Sequence, residues 1–312
     1  MKRHAGVILT SILWFLWVIW ARSKPIHASF KLVIQKFMTL PENIQLQKLP
    51  RLKPRRGLKV MSATIRALLL REIQTRFGQH RLGYLWVFLE PLFSIGIMVI
   101  IFGTVMQRIL PGMDYVVFLI NGMIPFFMFR TGITQAMSAV QSNKGLFSYR
   151  PVKPIDSVIA RNILEFLLKF IAYIGFTLAF IWFGYQVSLE DIPTLLLYWG
   201  LLFIFMLACS LIFMVVADFS KEIEKFISIG FMIIYLLSGV LYSIHIIPVQ
   251  YREYLLWNPL IHIFELMRHA IAPSYPIVQG ISLTYFVLWI IGSLFIGLLL
   301  YKRFEIRMLK TK

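Results

Sequence analysis

The sequence predicts an all-α fold: a polytopic membrane protein in which six spanning helices form one bundle. Hydrophobic residues make up 59% of the 312 residues and charged residues 15%, whereas soluble domains contain about half and about a quarter of these classes. Six apolar runs are close to or above the roughly 20 residues that a spanning helix needs. The net charge of +18 does not indicate a nucleic-acid partner, because Lys and Arg flank the apolar runs instead of covering a soluble face.

Residues 1–60 are predicted to be an N-terminal extension of this bundle. They contain an uncharged apolar run of 17 residues, 5–21, followed by a basic linker. The run is short for a span, so two interpretations stay open: an extra N-terminal apolar helix, or a start assigned upstream of a true start at Met61. A cleaved signal peptide is disfavoured because no small-x-small site follows Ala21. Residues 61–312 are then the transmembrane domain.

The domain is predicted to begin with a basic amphipathic helix, 62–84, lying on the membrane surface. Its apolar stripe recurs every fourth residue and consists of Ile65, Leu69, Ile73 and Phe77, with Leu70 alongside. The basic side chains expected to meet anionic lipid headgroups are Arg66, Arg76 and Arg81.

The predicted spans are 86–106, 116–139, 157–183, 193–217, 226–243 and 281–301. Lys and Arg concentrate in three segments on one side of this arrangement: 22–85, 140–156 and 302–312. Such a bias marks the cytoplasmic side, so both ends of the domain are expected on the cytoplasmic side of the membrane. The loop 218–225 lies on the same side but is slightly acidic.

Two connections between spans are expected to hold short helices. In 141–156, Ser142 and Asn143 could cap a helix that Pro151 and Pro154 end, although an ordinary basic loop is an equal alternative. The segment 244–280 is apolar and interrupted by four prolines, which favours re-entrant or interfacial half-helices. Within it, Glu265 and Arg268 are three apart and predict a structural ion pair.

Charged residues also occur inside the predicted spans. Arg130 lies mid-span, where a basic residue costs about 2.5 to 3.5 kcal/mol, so it should face protein or water. It is either a pore or gate residue or a packing residue neutralised by a neighbour such as Glu165. Arg161, Glu165 and Lys169 recur every fourth residue and share one helical face, where they are expected to pair or to snorkel.

Sequence motifs for catalysis are absent. The chain has no G-x-x-x-x-G-K-[ST] phosphate loop, no H-E-x-x-H helix and no G-x-S-x-G elbow. Its single cysteine, Cys209, and six scattered histidines predict no metal site. We expect no catalytic residue in this chain, and an active transporter would need an energy source elsewhere.

Several motifs, in order, resemble the membrane-spanning permeases of type-2 ABC exporters, and among them the capsular-polysaccharide export permeases. The resemblance covers about Ser62 to Glu305. Its residues are Leu70-Arg71-Glu72, Thr75-Arg76-Phe77-Gly78, Leu82-Gly83-Tyr84-Leu85-Trp86, Glu90-Pro91, Asn143, Leu146, Arg150, Val152, Asp156, Arg161, Leu164-Glu165, Asn258-Pro259, Glu265 and Arg268. Permeases for O-antigen and teichoic acid share much of this pattern and remain alternatives.

The resemblance implies a half-transporter in a bacterial inner membrane. Two copies would form a channel for a lipid-linked polysaccharide, and two separate ATP-binding cassette subunits would bind ATP and Mg²⁺, so this chain holds no cofactor. A periplasmic co-polymerase and an outer-membrane exporter are further candidate partners. Segment 62–84 would be the interface helix and 141–154 the coupling helix, with the coupling residues Arg71, Glu72, Arg76, Asn143, Lys144 and Arg150.

The candidate substrate-path residues are Arg130 and six aromatics: Tyr84, Trp86, Tyr242, Tyr251, Tyr254 and Trp257. Aromatic rings could stack on sugars, but an interfacial aromatic belt is the favoured explanation for each of them individually.

Two other functions compete with an exporter. A membrane-embedded glycan transferase or polymerase would need clustered carboxylates, and a secondary transporter would need paired broken helices in two repeats.

Overall fold

The computed structural model describes residues 57–77, 83–148 and 152–309. The predicted extra helix at 5–21, residues 22–56 of its basic linker, and Arg150 lie outside these residues, whereas residues 57–60 of the predicted extension belong to the first helix, Gly57–Phe77. Every regular element that the structure describes is helical, which confirms the all-α prediction.

The α-helices in chain order are α1 (Gly57–Phe77), α2 (Gly83–Ile109), α3 (Tyr115–Asn143), α4 (Pro154–Trp182), α5 (Ile192–Phe219), α6 (Lys221–Leu237), α7 (Val249–Leu255), α8 (Pro259–Ile271) and α9 (Leu283–Leu309). Two short 3₁₀ helices, Lys144–Ser148 and Ile244–Ile246, follow α3 and precede α7.

In the described residues, five helices are long and apolar enough to span a membrane: α2, α3, α4, α5 and α9. The predicted fifth span, 226–243, is wrong at its end. Helix α6 stops at Leu237 after 17 residues, about 25 Å at 1.5 Å per residue. The chain turns there through Gly239, whose φ of +63° is the left-handed conformation that glycine adopts most readily.

Helix α3 forms the centre of the bundle. Its first half is buried on nearly all sides, from Tyr115 to Phe129, by α4, α5 and α8. Helix α2 lies at the edge and exposes an apolar face, with Ile100 83% exposed. Such a face suits lipid or another membrane protein.

The proline-broken segment forms short helices, as predicted. Pro248 precedes α7, and Pro259 is the first residue of α8, where its missing N–H costs nothing. Ten of the 13 residues of α8 are buried, and the helix packs against α3, α5 and α9. The segment is therefore folded back into the bundle and is not a free loop.

The segments predicted to be cytoplasmic meet at one end, which we call the basic end. Lys153 Nζ before α4 lies 3.2 Å from Glu305 Oε1 near the end of α9. Asp218 Oδ2 lies 3.6 Å from Arg307 Nε. The acidic loop 218–225 thus begins beside a basic partner on α9, which explains its departure from the general charge bias.

Candidate functional site

Helix α1 packs along α4, and two of its charged residues, Glu72 and Arg76, lie on the packed face. Leu68 is buried there, with Glu72 and Arg76 half-buried beside it. Glu72 Oε1 lies 3.1 Å from Arg161 Nε, and Arg76 pairs with Glu165. Residues four apart on α1 thus meet residues four apart on α4, so the two helices run in the same direction over this turn.

Helix α2 contributes a third pair to the same face of α4. Lys169 Nζ lies 2.8 Å from Glu90 Oε2, immediately before Pro91 inside α2. On the α4 side, the three charged side chains are 9%, 3% and 5% exposed. Charges this buried persist only when paired. We call the three pairs Glu72–Arg161, Arg76–Glu165 and Glu90–Lys169 the charge ladder.

A hydrogen bond ties α1 to the end of α3. Arg71 Nη1 donates to Asn143 Oδ1 at 2.7 Å, and Asn143 Nδ2 donates to the Ala139 carbonyl at 2.9 Å. Asn143 is 3% exposed and directly precedes the 3₁₀ helix Lys144–Ser148. A displacement of this 3₁₀ helix therefore acts on α1 through one residue.

Arg161 extends the connection from α4 to α3. Its Nη1 donates to the Gln135 carbonyl at 2.8 Å and to Ser138 Oγ at 2.9 Å, while its Nε faces Glu72. One guanidinium thus contacts both α1 and α3, and the three helices form a connected unit at the basic end.

These contacts correct several predictions. Arg76 does not face lipid headgroups, because it lies on the packed face of α1 and pairs with Glu165. Leu70, counted beside the apolar stripe, is 54% exposed. Asn143 does not cap a separate helix, because α3 continues through it. Lys144 is half-exposed at the start of the 3₁₀ helix.

Away from the basic end, Glu265 and Arg268 form a completely buried ion pair. Arg268 Nη1 lies 2.8 Å from Glu265 Oε1, and both side chains are 0% exposed. Tyr275 Oη donates to the same carboxylate oxygen at 3.2 Å and lies 2.8 Å from Ser243 Oγ. The contact that the i, i+3 spacing predicts is therefore present, within a larger polar cluster.

Arg268 also holds the turn that ends α6. Its Nη2 donates to the Gly239 carbonyl at 2.8 Å, and its guanidinium carbon lies 3.6 Å from the centroid of the Phe118 ring. A Cβ on Gly122 would lie 2.6 Å from that Nη2 atom, so only glycine gives the guanidinium this space. One arginine thus joins α3, α8 and the end of α6.

The candidate path aromatics do not converge on one described pocket. Tyr251, Tyr254 and Trp257 are 60%, 71% and 75% exposed on and after α7, and Trp86 is 63% exposed on α2. Tyr242 is half-buried in the turn after α6, while the side chain of Tyr84 lies outside the described part of the chain. The exposed rings are placed equally well for sugar or for a membrane interface.

Arg130 stands apart from the other charges in the apolar parts of the helices. It is exposed on α3. Glu165, its predicted neutraliser, pairs with Arg76 instead. Across residues 57–77, 83–148 and 152–309, the Arg130 side chain takes part in no ion pair.

The sequence identified the charged residues of α4 but not the residues with which they pair. The four-residue spacing of Arg161, Glu165 and Lys169 predicts pairing, but it does not identify Glu72, Arg76 and Glu90. The complementary four-residue spacing of Glu72 and Arg76 is the signal that could have indicated two of the pairs. The link from Arg71 to Asn143 has no local signal.

Comparisons with known proteins give one consistent answer. The profile of the family described as ABC-2 type transporter matches residues 63–272. The polysialic acid transport protein KpsM of Escherichia coli is 45% identical over 257 residues, which cover 82% of this chain and 99% of KpsM. The capsule polysaccharide export inner-membrane protein BexB of Haemophilus influenzae is 28% identical, covering 80% and 94%. The O-antigen export permease RfbA of Klebsiella pneumoniae is 27% identical, covering 76% and 92%.

Proposed function

The chain belongs to the ABC-2 type transporter family, and from this membership we propose that it is the permease subunit of an exporter for a lipid-linked capsular polysaccharide. The observation that carries the proposal is the 45% identity to a polysialic acid transport protein along 99% of that protein's length. The chain is a multi-pass inner-membrane protein, as its relatives and its five long apolar helices indicate. An O-antigen or a teichoic acid is the alternative cargo, and the former is favoured by the O-antigen permease among the relatives.

In this proposal ATP hydrolysis takes place in a separate chain. The sequence has no phosphate loop, so two ATPase subunits would supply ATP and Mg²⁺ binding at the basic end, on the cytoplasmic side. The half-exposed Lys144 on the 3₁₀ helix and the exposed part of α1 are available to receive them. Glu72 and Arg76 act from the packed face of α1 by contacting α4, and Arg71, which is exposed, acts through its hydrogen bond to Asn143 of α3.

A second copy of the chain would complete the channel. Helices α2 and α6 expose large apolar side chains, including Ile100 at 83% and Met232 at 68%. Small conformational changes at the basic end would rock the two copies and open a groove between them. A periplasmic co-polymerase and an outer-membrane exporter would continue the path beyond this membrane.

Arg130 supports a polar transport path beside α3. An arginine in the middle of a span is costly in lipid, and because Arg130 has no ion-pair partner within the described ranges, it requires water or an anionic partner from elsewhere. Thr131, Thr134 and Ser138 continue a half-exposed polar surface toward the basic end. We assign this surface to the path, with the exposed aromatics Trp86, Tyr251, Tyr254 and Trp257 as candidate contacts for sugars.

A glycan transferase is the second candidate, and the carboxylates argue against it. In the part of the chain that the structure describes, Glu72, Glu90, Glu165 and Glu265 each contact a basic side chain. Carboxylates held in this way are neutralised by a partner and are not a free pair for acid–base catalysis.

Copurification tests the proposal. The chain, carrying an affinity tag, is expressed with a candidate ATP-binding cassette ATPase from the same genome, and the complex is purified in detergent. We expect the ATPase to copurify and its ATP turnover to depend on the permease. An ATPase that elutes alone, with the same turnover in the absence of this chain, would argue against the exporter.

A further inference from the structure

We propose that the charge ladder fixes the register of α1 against α4, and that Arg161 and Glu165 are positioning residues for coupling. The inference rests on the proposed function, because it assumes that an ATPase pushes on the basic end. It goes further by assigning a role to residues inside the bundle that need not touch the ATPase.

The sign of the charge alternates along both α1 and α4 within the charge ladder. Along α1 the signs are negative at Glu72 and positive at Arg76, and along α4 they are positive at Arg161, negative at Glu165 and positive at Lys169. The spacing is four residues on both helices, close to one helical turn. In the observed register, Glu72 and Arg76 each face an opposite charge on α4.

A displacement of α1 along α4 by one helical turn would bring like charges together. If α1 moved one turn toward the C-terminus of α4, Glu72 would meet Glu165 and Arg76 would meet Lys169. If it moved one turn the other way, Arg76 would meet Arg161. Both displacements bring like charges together in a largely buried place, where they repel strongly. Alternation therefore opposes sliding in either direction.

Sliding of α1 along α4 would prevent a displacement of α1 from being transmitted to the bundle. Two helices that pack through apolar side chains alone can shift along each other at small cost, and such one-turn shifts occur in known switches. A force on α1 would then make α1 slide along α4 without moving α4. With the register fixed, the push moves α1 and α4 together, and the Glu90–Lys169 pair brings the edge helix α2 with them.

The ladder lies next to the segment on which the ATPase is proposed to act. Arg71 joins α1 to Asn143, directly before the 3₁₀ helix that is the candidate docking segment. Arg161 contacts α3 within the same turn. The charge ladder thus begins beside the candidate docking segment and extends along α4 to α2.

The decisive variant keeps every ion pair but removes the alternation. In R76E/E165R the two residues exchange signs, so that α1 carries two negative charges and α4 three positive ones. Each native pair is still satisfied, and a slip by one turn is now satisfied as well. The matched control is R76K/E165D, which substitutes the same two residues but keeps the sign of every charge and leaves Arg161 in place, so a slip in either direction still brings like charges together.

The measurements are ATP turnover of the purified complex with its ATPase, and surface polysaccharide of cells that depend on the same variant. We expect R76E/E165R to accumulate normally and to hydrolyse ATP while its export per ATP falls about fivefold or more, the lower range of coupling between linked sites. R76K/E165D should keep most of the export.

The outcomes separate cleanly. Export per ATP that equals wild type in R76E/E165R overturns the register proposal, as does equal impairment of the two variants at normal abundance. If R76E/E165R does not accumulate, R76M/E165L removes the pair without unpaired charge, and normal coupling in that variant also overturns the proposal. A wild-type chain that neither stimulates the ATPase nor supports export would instead reject the proposed function.

Discussion

Replacing Glu265 by Gln removes one negative charge from a completely buried ion pair while preserving the size of the side chain. Arg268 would then keep its positive charge at 0% exposure, with the Gly239 carbonyl as its nearest remaining acceptor outside the pair. Breaking a buried pair typically costs about 3 to 5 kcal/mol. The amide oxygen of Gln can still accept from Arg268, so we expect the lower value.

A loss of about 3 kcal/mol reduces the ratio of folded to unfolded protein by about two orders of magnitude. At about 2 to 4 °C per kcal/mol for a domain of this size, the apparent Tm should fall by roughly 6 to 12 °C. The assay is thermal unfolding of the detergent-purified protein, followed by the amount that remains monodisperse on a sizing column.

The control is the same substitution at an exposed glutamate. Glu253 lies exposed on α7, so E253Q should change stability by no more than about 0.5 kcal/mol. The double variant E265L/R268M removes both charges and should be more stable than E265Q. Equal losses of Tm in E265Q and E253Q would refute the reasoning, since the buried charge would then carry no special cost.

Three further predictions concern other parts of the molecule. Lys144→Glu reverses the charge of the candidate docking segment and should reduce ATP-driven export at normal abundance, measured as surface polysaccharide. Thr134→Cys, in a background without the native cysteine, should react faster with an anionic than with a cationic thiosulfonate reagent, and adding Arg130→Gln should lower that ratio. Gly122→Ala should lower the Tm because its Cβ would lie 2.6 Å from a guanidinium nitrogen, whereas Gly200→Ala meets nothing within 4 Å and should be neutral or stabilising.

Each of these predictions has a result that would contradict it. Full export by the Lys144 variant would remove this residue from the docking segment. A cysteine at 134 that reacts no faster than one at Ile100, which is 83% exposed on the apolar face of α2, would place the Arg130 surface in lipid. Equal Tm values for the two alanine variants would mean that the space beside Arg268 is not required.

The sequence predicted the long apolar helices well, because each depends on the composition of its own segment. It also predicted the contact between Glu265 and Arg268, since residues three apart on a helix are neighbours whatever the rest of the fold does. The end of α6 was misplaced for the opposite reason. Ser238 to Ser243 are compatible with a continuing apolar helix, and the turn depends on Gly239 and on Arg268 from a later segment.

Helix α1 illustrates a second limit. A four-residue apolar period shows that a helix has a buried face, but it does not distinguish lipid from protein as the partner. The packed face includes Glu72 and Arg76 because oppositely charged residues lie opposite them on α4. That complementarity is visible only when both helices are considered together, which hydropathy patterns do not do.

The central claim is that this chain provides an ATP-driven path for a surface polysaccharide. The most direct test is polysaccharide on the surface of a bacterial strain that lacks its own capsule permease and carries this chain together with its ATPase. We predict surface polysaccharide that disappears when the phosphate-loop lysine of the ATPase is replaced, while the chain itself remains in the membrane. Polysaccharide that stays inside the cell despite an intact and expressed ATPase, or that reaches the surface without ATP hydrolysis, would contradict the account.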